Sequence, residues 1–207
     1  MKIICVAQNY LQHTVEMGWK DVSINDDPVF FIKPDSALLL NNKPFFIPDF
    51  SKNIHYELEI VVKINRLGKN IAERFSHRYY DEITVGIDFT ARDIQSELKK
   101  RGLPWGVSKG FDNSAVVGEF VSKEQLNKPI DDLHFELRIN DKVVQQASTS
   151  EMIHSIDKII ASASRFFTLK IGDIIFTGTP AGVGKVEIDD HLEGYLEEKK
   201  LFDFYVR

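Results

Sequence analysis

The sequence predicts an α+β, β-rich domain of mixed sheets with a few short helices. Three observations carry this. Runs rich in β-branched and aromatic residues recur at 28–33, 45–48, 55–64, 135–139, 173–178 and 201–206, which is strand composition. Only two longer stretches space their apolar residues as a helix does. Strands and helices do not alternate regularly, which excludes a parallel doubly wound sheet. No repeat period, low-complexity tract or linker divides the chain, so one domain over 1–207 is expected.

Taken in order, residues 1–7 are apolar for too short a run to be a leader, and Gln8-Asn9-Tyr10 follows at once; they read as a first strand. A helical turn is expected at 11–17. Asn25-Asp26-Asp27-Pro28 and Asn41-Asn42-Lys43-Pro44 are loop signals on either side of strand 28–33. A helix is expected over 90–101, closed by Gly102. Asn140-Asp141, between Leu137–Ile139 and Val143–Val144, predicts a hairpin. Ser148-Thr149-Ser150-Glu151 is a capping box with Ser148 as N-cap. Met152, Ile156, Ile159, Ile160, Ala163, Phe166 and Phe167 then follow at helical spacing, predicting a second helix from that cap.

Lys+Arg number 26 against 31 Asp+Glu, a net charge of −5. This removes the basic footprint of a nucleic-acid binder and of a polybasic membrane-surface protein. No apolar run has the length of a membrane span. The one cysteine, Cys5, cannot form an internal disulfide. Together with the missing leader, it points to a cytoplasmic protein.

The chemistry concentrates in four segments. In His55-Tyr56-Glu57-Leu58-Glu59, strand alternation puts His55, Glu57 and Glu59 on one face. Paired carboxylates entering the apolar run Ile60-Val61-Val62 repel each other unless a cation lies between them, so they point to a hard divalent ion. Asp88, at a strand-to-helix junction, and Asp93, on the helix, are both candidates for a third ligand. An all-carboxylate set selects Mg²⁺ or Mn²⁺ over Zn²⁺. His13 and Glu16 are an i, i+3 pair, in which the carboxylate can orient the ring and leave its other nitrogen as a base. The stretch Thr177-Gly178-Thr179-Pro180-Ala181-Gly182-Val183-Gly184-Lys185 fails as a P-loop, because its glycine spacing is wrong and Val186 stands where Ser/Thr is needed. It remains a loop whose N–H groups and Thr179 hydroxyl could meet an anion. Lys109 could balance the acidic cluster. Cys5 reads as a small core residue, and His77, His134, His154 and His191 show no partner pattern.

Together these segments resemble the fumarylacetoacetate hydrolase family, over nearly the whole chain. The resemblance rests on Asn9-Tyr10 with His13 and Glu16, then Phe31-Ile32-Lys33-Pro34-Asp35-Ser36 and His55-Tyr56-Glu57-Leu58-Glu59. It continues through Gly86-Ile87-Asp88-Phe89-Thr90-Ala91-Arg92-Asp93-Ile94-Gln95, Lys109-Gly110-Phe111-Asp112, and the segment from Gly172 to Gly184. The short chain is similar to the acylpyruvase and oxaloacetate decarboxylase branch. The resemblance implies a rolled core of mixed sheets, usually in a homodimer. It implies Glu57, Glu59 and Asp88 as Mg²⁺ ligands, with Mn²⁺ as a substitute, and His13 and Glu16 as the catalytic dyad of a short lid. It implies Lys109 beside the reacting oxygens and Arg92, Gln95 and Thr179 around a bound 2-oxo acid. Gln8 departs from the family's frequent Gly-Arg before Asn-Tyr, removing a positive charge near the lid. The expected activity is Mg²⁺-dependent hydrolysis of the C–C bond of acylpyruvates. Oxaloacetate decarboxylation, oxo-diacid isomerisation and non-catalytic ligand binding are the alternatives.

Overall fold

The computed structural model describes residues 1–16, 18 and 26–207. Met17 of the expected 11–17 turn and Asn25 of the expected 25–28 loop lie outside the described residues. The elements begin with β1 (Ile3–Ala7), α1 (Leu11–Glu16), β2 (Val29–Lys33), β3 (Leu38–Leu39), β4 (Ile54–Tyr56), β5 (Leu58–Ile64), β6 (Tyr80–Asp88) and β7 (Thr90–Ala91). Next come α2 (Arg92–Lys100), α3 (Gly106–Lys109), β8 (Ala115–Val117), β9 (Val121–Ser122), β10 (His134–Ile139) and β11 (Lys142–Ser148). The last are α4 (Ile156–Phe166), β12 (Ile174–Phe176), β13 (Gly184–Lys185), β14 (His191–Leu196) and β15 (Lys199–Tyr205).

Among the described residues, an eight-stranded sheet runs β2-β1-β12-β5-β6-β8-β3, with β9 also on β6. It is mixed: β1–β12 and β3–β8 are parallel, the other pairs antiparallel. A four-stranded sheet, β11-β10-β14-β15, and a three-stranded one, β13-β4-β7, complete the β-rich fold. No helix among the described residues is long and apolar enough to cross a membrane.

The large sheet is apolar on both faces, and strand alternation sorts its side chains between two cores. Ile4, Val6, Leu58, Ile60, Val62, Ile87 and Ile175 join the main core, against Phe135, Leu137, Phe202 and the α4 residues Ile156, Ile159, Ile160 and Ala163. Ile3, Cys5, Val61, Ala115, Val117, Ile174 and Phe176 form a second core on the opposite face. This is why β1 reads as an unbroken apolar run, and why Cys5 is fully buried. Glu59 and Asp88 share the parity of the second face, so alternation delivers both carboxylates to one side. Gly86 lies between them in the pleat. A Cβ there would come within 2.4 Å of the Val116 carbonyl oxygen.

Four elements differ from expectation. The 55–64 strand breaks at Glu57: β4 belongs to the small sheet and β5 to the large one. The 45–48 segment forms a single parallel bridge, Phe45 to Val206, extended by Ile47 N–H donating to Arg207 O at 2.8 Å, and Pro44 and Pro48 have no N–H to offer a strand on its other edge. Helix α2 starts at Arg92, because Thr90 and Ala91 pair with β4. Gly102 closes it as expected, with φ +63°, Gly102 N–H donating to Lys99 O at 3.1 Å and Leu103 N–H to Leu98 O at 2.9 Å. The capping box forms, but on a single 3-10 turn, Thr149–Glu151. Residues 152 and 153 then leave the helical path to pair with Tyr10 and Asn9, and α4 starts from a second cap, Ser155. The Asn140-Asp141 hairpin is as expected, with both residues at positive φ (52° and 66°), the requirement of a type I′ turn.

Candidate metal and active site

Glu57, Glu59 and Asp88 converge from the β4–β5 break, the start of β5 and the end of β6. Each offers a carboxylate oxygen within 4.8 Å of the others, and all three are buried. Of the two candidates for the third ligand, Asp88 is the one that joins. Asp93 turns outward and accepts from Ser51 Oγ at 2.6 Å and from the Lys52 and Ile94 amides. His55 is also outside the cluster, bonded through Nε2 to Asn53 at 3.0 Å, because the break at Glu57 ends the alternation that would have aligned it.

Three cations face the carboxylates. Lys109 Nζ bridges Glu57 Oε2 at 2.7 Å and Asp88 Oδ2 at 2.8 Å. Arg92 binds Glu57 Oε1 at 2.5 Å and Gln95 Oε1 at 2.7 Å. Lys33, fully buried at the end of β2, lies 2.6 Å from Asp88 Oδ1 and donates to Ser114 O and Oγ at 2.8 and 2.9 Å. Burial works to push Glu57 up, but Lys109 and Arg92 outweigh it and hold the carboxyl below its ordinary value. Glu59 is different. Burial, with Asp88 and Glu57 beside it, pushes its carboxyl well above the usual range, against the opposing pull of Lys109 and Gly178 N–H. Buried carboxylates, converging and hard, with one still held up by its like-charged neighbours, fit a small dication. The cavity they line with His13, Phe31 and Trp105 is about 20 Å³, room for a single ion or water, so a 2-oxo acid enters only when these residues move apart.

The second grouping of possible ligands among the described residues, His191, Glu193 and Asp203, is already served by Lys200, 2.8 Å from Glu193 and 2.5 Å from Asp203.

On α1, His13 and Glu16 meet as their spacing predicts, Nδ1 to Oε2 at 3.0 Å, and His13 is buried against the same cavity as the three carboxylates. Thr179, Gln95, Arg92 and Lys109 line that cavity too, with Gln8, Phe31 and Trp105. The glycine-rich loop behaves otherwise than expected: its N–H groups meet the protein's own carboxylates. Gly178 N–H donates to Glu59 at 2.6 Å, and Gly182 N–H to Glu16 at 3.1 Å. Gly178 has φ +97°, and a Cβ there would lie 2.7 Å from Asn9 Cβ. The loop thereby ties the dyad on α1 to Glu59 on β5.

Three residues of this arrangement have no role in the sequence reading, although Asn9 and Lys33 stand in motifs that carry the resemblance. Lys33 left a weak signal, a lone charge ending an apolar strand. Asn9 links the start of α1 to the loop through Thr177 O at 2.7 Å and to the His154 backbone at 2.7 and 3.0 Å. Gln145, from β11, is buried beside Thr179 with no signal at all.

The family model described as fumarylacetoacetate (FAA) hydrolase C-terminal matches residues 2–203. Oxaloacetate tautomerase FAHD1, mitochondrial, of Rattus norvegicus is 38% identical over 195 residues, 94% of this chain and 86% of its own. Oxaloacetate tautomerase YcgM of Escherichia coli (strain K12) is 37% identical over 191 residues, 92% of this chain and 86% of its own. Among solved structures, fumarylpyruvate hydrolase from Pseudomonas aeruginosa in complex with Mn²⁺ and pyruvate superposes with a TM-score of 0.91 at 31% identity, covering 100% of this chain and 89% of that one.

Proposed function

The chain belongs to the fumarylacetoacetate hydrolase family of enzymes, and from that premise we propose that it is a divalent-metal-dependent tautomerase of oxaloacetate. The reaction moves a proton between the enol oxygen and the carbon beside the ketone. The observation that carries the reading is one buried cavity in which three carboxylates meet a His–Glu pair and two cations. The two tautomerases of similar sequence support the substrate.

Glu57, Glu59 and Asp88 hold the ion, Mg²⁺ or Mn²⁺. When bound, it supplies positive charge to the oxygens of a 2-oxo acid and stabilises the enolate. The protein's residues do the rest. Glu16 accepts from His13 Nδ1, so the neutral ring presents Nε2 as the base. His13 takes the enol hydroxyl proton and gives it to the carbon beside the ketone, and in the reverse direction takes it from that carbon and gives it to the ketone oxygen. Glu16 stabilises the imidazolium in between. Lys109 places a second positive charge near the oxygen that turns negative. Arg92, Gln95 and Thr179 orient the carboxylates.

A second reading, hydrolysis of acylpyruvates to pyruvate and a carboxylate, draws on the similar fumarylpyruvate hydrolase that holds Mn²⁺ and pyruvate. There His13 would take its proton from water. The deciding assay follows the absorbance of enol-oxaloacetate with Mg²⁺ or Mn²⁺, beside acetylpyruvate cleavage. The expected result is metal-dependent ketonisation, abolished in Glu57→Ala and reduced about 10²–10⁴-fold in His13→Ala, the usual share of a general base. Cleavage of acetylpyruvate with oxaloacetate ketonised only at the solvent rate would replace this reading with the second.

A further inference from the structure

We infer that Gln145 is a positioning residue that sets the hydroxyl proton of Thr179, making Thr179 a donor to the anion in the cavity. The inference rests on the reading of Thr179 as a group that holds substrate. Gln145 is 2 % exposed and makes three bonds: Oε1 accepts from Leu58 N–H at 2.9 Å, and Nε2 donates to Thr179 Oγ1 and to Pro180 O, both at 3.0 Å. The amide cannot be flipped. An amide N–H can only donate and a carbonyl can only accept, so Leu58 selects the oxygen end and Pro180 the nitrogen end. Thr179 Oγ1 therefore receives a proton from Gln145 and must direct its own elsewhere. Its partner within the protein is Pro180 O at a long 3.4 Å, a carbonyl that already accepts from Gln145. A carboxylate oxygen in the cavity, which Thr179 lines, is a far stronger acceptor.

The backbone is shaped to deliver Gln145. The ladder between β10 and β11 pairs Leu137 with Gln145 but Arg138 with Val143, which leaves Val144 as a bulge. A bulge shifts the alternation of the strand by one residue and re-aims the side chains beyond it. Gln145 is buried while Gln146 is exposed. The Val144 carbonyl turns toward the glycine-rich loop, where a Cβ on Gly182 would come within 2.8 Å of it. Gln145 also supplies Leu58 N–H with an acceptor at the β4–β5 break, where the main chain changes sheets.

The test is calorimetric titration of oxalate into the Mn²⁺-loaded protein. Oxalate carries two adjacent carboxylates and mimics the enolate of pyruvate in shape and charge. Gln145→Glu keeps an acceptor for Leu58 but gives Thr179 a carboxylate to donate to, turning the proton away from the cavity. Oxalate affinity should fall roughly tenfold to a hundredfold, the worth of a hydrogen bond to a charged group. Thr179→Val should lose about the same, and the double variant no more than either single one, because both remove one interaction. The deficit of Gln145→Glu should shrink as pH falls and the introduced carboxyl regains a proton to donate. If Gln145→Glu does not fold, Gln145→Met removes the donor without adding charge and should weaken oxalate to a smaller degree. Losses that multiply in the double variant, or unchanged affinity in the single one, overturn the inference. Wild-type protein that binds Mn²⁺ but no oxalate overturns the reading of the site itself.

Discussion

Lys33 shows how one side chain shapes the site from outside the ligand set. Its ammonium is fully buried between Asp88 Oδ1, Ser114 and the Phe89 carbonyl, which accepts at 3.3 Å. An uncompensated buried charge is costly. Lys33→Met removes the cation while keeping most of the volume, leaving Asp88 facing Glu57 and Glu59 with one positive neighbour fewer. Metal-free protein should lose about 3–5 kcal/mol of stability, the usual cost of breaking a buried pair. Thermal unfolding with a chelator should show the drop, and saturating Mn²⁺ should restore more stability to the variant than to wild type. Equal gains from Mn²⁺ would mean that Lys33 is not part of the charge balance around the carboxylates.

At the level of elements, the β10–β11 hairpin links local turn chemistry to the site. Its turn fixes the register, and the bulge at Val144 then carries Gln145 to Thr179, in the wall of the cavity. Asn140 is held by its own bonds: Nδ2 donates to Asp190 at 2.9 Å and Oδ1 accepts from His191 N–H at 3.0 Å. Asp141 is exposed at φ 66°, where a Cβ is strained and glycine is not. Asp141→Gly is therefore expected to stabilise the protein by about 0.5–1 kcal/mol, read as a higher midpoint in urea with an unchanged slope. Destabilisation would show that the Asp141 side chain makes a contact the hairpin needs. This turn was legible because the positive φ it needs at two adjacent positions is written in the residues themselves, Asn140 and Asp141. The start of α4 was not. The Ser148 capping box is real, but pairing of Met152 and Ile153 with Tyr10 and Asn9 overrides it, and Ser155 is the cap the helix uses.

The whole molecule is organised around a sheet buried on both faces, with its carboxylates on the face that carries the smaller core. A C₂ pair is the commonest assembly of soluble chains. Light scattering at micromolar concentration is expected to give about twice the chain mass of 23.7 kDa. A monomer with full activity would remove the dimer and leave the site chemistry standing.

By itself the sequence determined what short-range pattern can encode: a β-rich fold of mixed sheets, the His13–Glu16 contact one helical turn apart, the paired carboxylates Glu57 and Glu59, and the ordered motifs that resemble a family. Spacing left Asp88 and Asp93 level and the resemblance named Asp88, which the closed sheets bring to Glu57 and Glu59; tertiary structure alone decided that Lys33 and Gln145 stand behind them. The reason is sequence distance. The side chain of Lys33 meets Ser114 across 81 residues and that of Gln145 meets Leu58 across 87. Such contacts form only when the sheets close on one another, and no periodicity in the chain records which strands will be neighbours. The glycine-rich loop follows the same logic. Its glycines announced a tight turn, but that its N–H groups would go to Glu59 and Glu16 depended on where β5 and α1 came to lie.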